Sequence, residues 1–214
     1  MIDEFAKQYL HDELRWMREA LLWKLDGVSE YDVRRPLTVS GTNLLGLVKH
    51  VAYSGARYFG EVFDRPFPDT VPRWDEEAAW RNEHWAMEHE SREEVVGLYR
   101  RVWEHADATI GALAVDAPGR VPWWPEPGVK LFNVMIHMLG ETTRHAGHAD
   151  ILREQLDGTV GSDSNSAARY DEGDEAVRAR RAKIERAARA WSQSEPSQPG
   201  PSQPGRSSPG PAQP

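Results

Sequence analysis

One stretch of the chain concentrates residues that can hold a metal ion. Between Asn133 and Asp150 stand His137, Glu141, His145 and His148. At roughly 100° per residue, these four fall within about a quarter turn of one another on a helix. Glu141 and His145, four apart, place their Cβ atoms about 5–6 Å from each other, which suits two ligands on one ion. A lone histidine in an amphipathic helix is more often a surface residue or a hydrogen-bonded core residue than a ligand. The cluster shifts that balance. Burying a carboxylate beside several imidazoles is costly, and a divalent cation compensates all of them together.

Composition narrows the chemistry. The chain contains no cysteine, so no disulfide framework, thiolate cage or protein thiol nucleophile is available. A metal would sit on imidazole and carboxylate, which favours Zn²⁺, Ni²⁺ or Fe²⁺ without deciding among them. The formal net charge of −8 argues against non-specific nucleic-acid binding, which needs a basic face. No apolar run is long enough to span a bilayer, and Met-Ile-Asp-Glu-Phe-Ala-Lys-Gln lacks the basic-then-apolar pattern of a signal peptide. The expectation is a soluble, cytoplasmic protein. Nine tryptophans are many for this length. Several lie in irregular segments, where they either line a pocket or pack a loop onto the core.

The elements that would position these residues can be read in order. From Asp3 to Leu25, the residues Leu10, Leu14, Met17 and Leu21 recur at helical spacing, and Asp26-Gly27 stops the helix. Val28 to Ser40 reads as a loop broken at Pro36, with Ser40-Gly41-Thr42 as the cap of the next helix. That second helix is expected from about Asn43 to Phe63. It carries His50 among core-like neighbours, where a hydrogen-bonded core histidine is the plainer reading. Gly46, Gly55 and Gly60 weaken it and allow close helix contact or ligand access. A proline-rich loop then leads into a charged, Trp-rich stretch from Arg73 to Glu90, read as a short helix and turn, with His84 and His89 in solvent. Ser91-Arg-Glu-Glu94 is a capping box, and Val95, Leu98, Val102, Ala106, Ile110 and Leu113 form the stripe of a third helix. After a Pro/Gly loop carrying Trp123 and Trp124, a fourth helix is expected from about Val129 to Leu156, ending at Asp157-Gly158. The expected architecture is an all-α four-helix bundle, in which metal sites are built from facing helices.

Beyond Gly161 the composition changes. The domain reading is a bundle over 1–161, a polar linker and charged Ala/Arg-rich helix over 162–192, and a tail over 193–214. The tail carries two copies of Pro-Ser-Gln-Pro-Gly, a composition that cannot form a packed core and is expected to be disordered.

Two motifs carry a resemblance. Thr42-Asn-Leu-Leu-Gly-Leu-Val-Lys-His50-Val, together with Glu141-Thr-Thr-Arg-His145-Ala-Gly-His148-Ala-Asp-Ile-Leu-Arg153, resembles the DinB/YfiT-like superfamily. More narrowly it looks like the actinobacterial branch of mycothiol-dependent S-transferases, related to mycothiol-dependent maleylpyruvate isomerase. The resemblance covers about Ile2 to Gly161. It implies a four-helix bundle in up-down-down-up order and a metal held by one histidine of the second helix and a pair four apart on the fourth. Carried onto this chain, the ligands are His50, Glu141 and His145. Many members have His where Glu141 stands, whereas the isomerase branch has Glu. His148, at a position where Gln is common, is placed behind the ligands to orient His145, meet substrate or shuttle protons, and His137 does the same or simply packs.

Three protein ligands would leave an open position for water or substrate, as in catalytic zinc sites. A low-molecular-weight thiol bound there would supply the nucleophile that the chain lacks. Arg57 and Arg144, near the two motifs, are candidates to hold a carboxylate of the thiol or the substrate. The functional expectation is a metal-dependent S-transferase using mycothiol or a similar thiol on an electrophilic small molecule, with zinc favoured over nickel or iron. Neither nucleic acid nor membrane is expected as a partner, and a homodimer is compatible with the superfamily. The alternative is a non-catalytic, stress-associated metal-binding bundle in which the ion staples the fold or senses a ligand.

Overall fold

The computed structural model describes residues 4–76 and 82–194. Among these, four long helices make the body: α1 (Glu4–Trp23), α3 (Leu44–Phe59), α4 (Arg92–Ala112) and α5 (Leu131–Asp157). A short α2 (Glu30–Arg34) and a 3-10 turn (Glu61–Phe63) flank α3, and two small antiparallel pairs, β1–β2 and β3–β4, decorate the loops. The chain divides into two compact units, Met1–Tyr170 and Asp171–Pro214. The second contains α6 (Glu175–Ser194), a charged helix with an Arg189–Glu185 ion pair one turn apart. The tail expected from residue 193 falls almost entirely on 195–214, outside the described residues.

Within the first unit α3 is the central element. It packs against both α4 and α5, while α1 packs on α5. All sixteen residues of α3 are buried, so the helix that carries His50 has no solvent face, and its polar residues must find partners inside. The core around it includes Leu14, Leu21, Leu45, Val48, Phe59, Ile110 and Met138. Removing each such side chain from water contributes about 1.5–3 kcal/mol.

The helix signals act largely as the sequence suggests. Ser91 accepts from Glu94 N, and Glu94 returns the bond to Ser91 N, completing the capping box of α4. Gly158, at φ 77°, closes α5 in the left-handed conformation that glycine adopts without strain. Three details differ. Asn43, not the Ser40–Thr42 stretch, caps α3 by accepting from Gly46 N. The expected loop before it contains α2, because Ser29 accepts from Asp32 N and nucleates a turn. The Pro/Gly loop after α4 folds back as the β1–β2 hairpin, pairing Pro118–Arg120 with Gly128–Lys130, which fixes the Trp123-Trp124 tip.

Candidate metal centre

His50, Glu141 and His145 meet where α3 faces α5. Glu141 Oε1 lies 3.1 Å from His50 Nε2 and 3.0 Å from His145 Nε2, so one carboxylate oxygen is shared by two imidazoles from different helices. The three donor atoms all lie within 4.8 Å of one another. Ligands about 2.0–2.1 Å from a tetrahedral zinc stand roughly 3.3 Å apart, close to the two measured contacts. His50 and His145 side chains are only 10% and 12% exposed, and Glu141 24%, so the group is largely shielded yet reachable from one side.

The outer half of the site was not legible in the sequence. Glu83, fully buried, places Oε1 2.9 Å from His50 Nδ1, and its other oxygen accepts from Arg57 Nη1 at 2.8 Å. Arg57, 2% exposed, also donates from Nε and Nη2 to the carbonyl of Pro72. A carboxylate only accepts, so His50 Nδ1 is the donor toward Glu83, which leaves Nε2 as the nitrogen that can ligate.

Glu83 arrives on a segment that Gly46 and Lys49 hold against α3. A Cβ at Gly46 would lie 1.9 Å from the carbonyl oxygen of His84, so only glycine lets this backbone cross the helix one turn before His50. Lys49, itself 2% exposed, donates to the carbonyls of Asn82 and Trp85 and to Glu90 Oε2, satisfying the segment's polar groups and its own charge. Gly55, by contrast, admits a helix neighbour, with Val102 Cγ1 3.0 Å from where its Cβ would be.

Glu83 and His84 form a second potential donor set with His50, and the two sets compete for one imidazole. Charge decides between them. Glu83 already balances the permanent Arg57 cation, and a divalent ion placed beside that guanidinium would be repelled. Among the described residues, Glu141 is hydrogen-bonded only to imidazoles. Hydrogen bonds from His145 and His50 hold its carboxyl far below the usual range, against burial, which pushes the other way. Burial alone would lower His50, but bonds to Glu141 and Glu83 outweigh it and raise its value. Without a cation, His50 either takes a second proton or aims a lone pair at a carboxylate. A divalent ion held by His50, Glu141 and His145 would remove that conflict, and the donor set is of a kind that could hold one.

The remaining sequence candidates separate. His148, exposed, lies with Nδ1 3.4 Å from His145 Nδ1, behind the ligand and away from Glu141. His137, one turn before Glu141, packs its ring 4.7 Å from Tyr58 and 4.9 Å from Trp124, and burial lowers its pKa. Arg57 is engaged by Glu83, and Arg144 is exposed on α5. His84 and His89 are both exposed, but they are not equivalent: the His84 ring stacks on His50 at 4.3 Å.

Among the described residues no helix is long and apolar enough to cross a membrane. No curated protein matches the sequence. A family model, described as mycothiol-S-transferase, matches residues 9–158. This span contains α3, α4, all of α5 and every residue of the junction, and on it the chain belongs to the mycothiol-S-transferase family.

Proposed function

We propose that the protein is a metal-dependent S-transferase that joins mycothiol, or a similar low-molecular-weight thiol, to an electrophilic small molecule. The observation that supports this most is the His50–Glu141–His145 junction in a chain without cysteine: the site is built for a cation, and the sulfur must arrive with the cosubstrate. His50, Glu141 and His145 would hold a divalent cation, zinc in our reading, which would lower the pKa of a bound thiol toward neutral pH.

The protein's own residues prepare that site. Glu83, held by Arg57, keeps the proton of His50 on Nδ1 and its ring fixed. His148 sits behind His145 in the matching position and sets that ring through the Nδ1 contact; being exposed, it also offers a path for a proton to solvent. Arg144, exposed three residues beyond Glu141, is the cation available to an anionic group on the thiol. Low-molecular-weight thiols stay reduced in the cytoplasm, which is the compartment this reading requires.

The test is thiol consumption by the zinc-loaded protein with a panel of electrophiles, with and without chelator. Chelator-sensitive turnover supports the reading, and a metal-loaded protein inert with mycothiol and every other physiological low-molecular-weight thiol overturns it. A His145→Ala protein separates catalysis from stapling. Lost turnover with unchanged melting marks an enzyme, whereas a fall mainly in melting temperature marks a metal that only holds the bundle together.

A further inference from the structure

Tyr58 lies two turns beyond His50 on α3, and its hydroxyl is set in an unusual way. Trp123 Nε1 donates to Tyr58 Oη at 3.1 Å and Trp124 Nε1 donates to it at 3.0 Å. Two indoles that are adjacent in sequence thus spend their only polar hydrogens on one oxygen. With its acceptor positions filled, the phenol can contribute only its own hydrogen, and that hydrogen has no acceptor among the described residues. His137, whose ring centre is 4.7 Å away, is close but accepts no hydrogen bond from it. Tyr58 is 8% exposed, so an open donor there calls for a partner that the described residues do not provide.

The surroundings indicate which partner. Tyr58 and His50 share α3, while His137 and Glu141 share α5 one turn apart, so this hydroxyl belongs to the helix pair that forms the metal junction. Trp123 and Trp124 are half-buried and present ring surface to whatever comes near, with Trp74 packed 5.4 Å from Trp123. Two indole donors leave the hydroxyl one direction in which to point, so its geometry is prepared in advance. Burial keeps the phenol above its ordinary pKa and the nearby Glu141 charge adds to this, outweighing the two indoles; the group is therefore protonated at neutral pH.

We propose that Tyr58 is the hydrogen-bond donor to a carbonyl oxygen of the electrophile, a planar molecule lying against Trp123, Trp124 and His137. The identity of the ligand as an electrophile rests on the S-transfer reading above, but the recognition itself does not. Tyr58 thus selects for an oxygen at a fixed distance from the metal junction, and the tryptophans select for flatness.

The experiment uses two probes of one shape on the zinc-loaded full-length protein without thiol. Acetophenone carries a carbonyl, and α-methylstyrene replaces that C=O with C=CH₂. Their affinities are measured by ligand-observed NMR titration. The wild type should bind acetophenone about 3- to 10-fold more tightly, the range expected for one added hydrogen bond. In Tyr58→Phe the preference should collapse to within about twofold while α-methylstyrene affinity holds. A merely structural role for Tyr58 would weaken both probes together. A preference that survives Tyr58→Phe, or failure of both probes to bind the wild type, overturns the proposal. If Tyr58→Phe does not fold, Trp124→Phe frees the hydroxyl to rotate and should at least halve the preference; an unchanged ratio overturns the idea equally. Thiol assays fail independently. An inert protein whose carbonyl preference depends on Tyr58 removes the S-transfer reading alone, and an active one with no such preference removes the donor alone.

Discussion

Two carboxylates, each bonded to at least one side chain from another helix, show what suits a cation and what does not. Asp107 on α4 receives His11 Nε2 at 2.8 Å and a two-pronged bond from Arg18 at 2.7 and 3.1 Å. Glu141 on α5 receives His50 and His145. Both carboxyls are held below their ordinary values: at Asp107, His11 and Arg18 overcome burial, and at Glu141 two imidazoles do so. The difference lies in the kind of partner. Arg18 carries a permanent charge and neutralises Asp107 once and for all, leaving nothing for a cation to do. Imidazoles are neutral for much of the accessible pH range and hold lone pairs, so Glu141 keeps an uncompensated charge and two ready ligands. Glu83 belongs with Asp107 in this respect, because Arg57 has already claimed it.

The comparison can be broken at either carboxylate. His145→Ala should have the largest effect. Four-ligand zinc sites hold about 10–16 kcal/mol, or roughly 2.5–4 kcal/mol per ligand, so zinc affinity should fall about 70- to 900-fold, read by elemental analysis after dialysis against a competing chelator. Asp107→Asn should leave zinc content untouched and instead cost about 2–3 kcal/mol, because Arg18 is left buried without its counter-charge; melting should drop by roughly 5–10 °C. Loss of zinc from that variant would erase the distinction between the two regions. Glu83→Gln falls between them. It removes the anchored acceptor behind His50 and should weaken zinc about 10- to 100-fold, with the triad itself intact.

The smallest effect concerns pH. In the metal-free protein His50 is raised above its unfolded value, so its contribution is fully present below about pH 6.5 and is lost as pH rises through the folded value. Burial lowers His84 and His137, which act in the opposite sense, so the His50 share is read as the melting difference between the chelated wild type and a chelated His50→Gln protein, which should be larger at pH 6 than at pH 8. The zinc-loaded protein should show the opposite slope, since protons compete with the ion for the same nitrogen. Asp107, depressed by His11 and Arg18 against burial, contributes above about pH 4 and loses that contribution in acid through its folded value. It should not move between pH 6 and 8, which keeps the two regions separable.

How much of this the sequence announces depends on whether a feature is local. The four long helices, the Ser91–Glu94 capping box and the Glu141/His145 spacing are written in neighbouring residues, because a helix repeats every few positions. His50 is legible only through the motif it shares with relatives, since its partners stand some ninety residues away. Glu83 has no such signature. It lies in a polar stretch without periodicity, next to a histidine that is exposed, and becomes buried only because Gly46 and Lys49 draw that stretch over α3. The hint the sequence offers is Gly46, together with a lysine and an arginine, in a mostly apolar helix. The pairing of Trp123 and Trp124 with Tyr58 is equally hidden, because the β1–β2 hairpin that turns them inward depends on contacts that composition does not reveal.

Gly46 touches no ligand and offers no functional group, yet one of its hydrogens occupies the place where a methyl would meet the carbonyl of His84. The outer support of the proposed ion site therefore depends on a clearance smaller than a single carbon atom. A lineage that needed a weaker or more exchangeable metal would not have to alter any coordinating residue. It could simply fill that gap, lift Glu83 away from His50, and leave every feature by which the site is recognised in place.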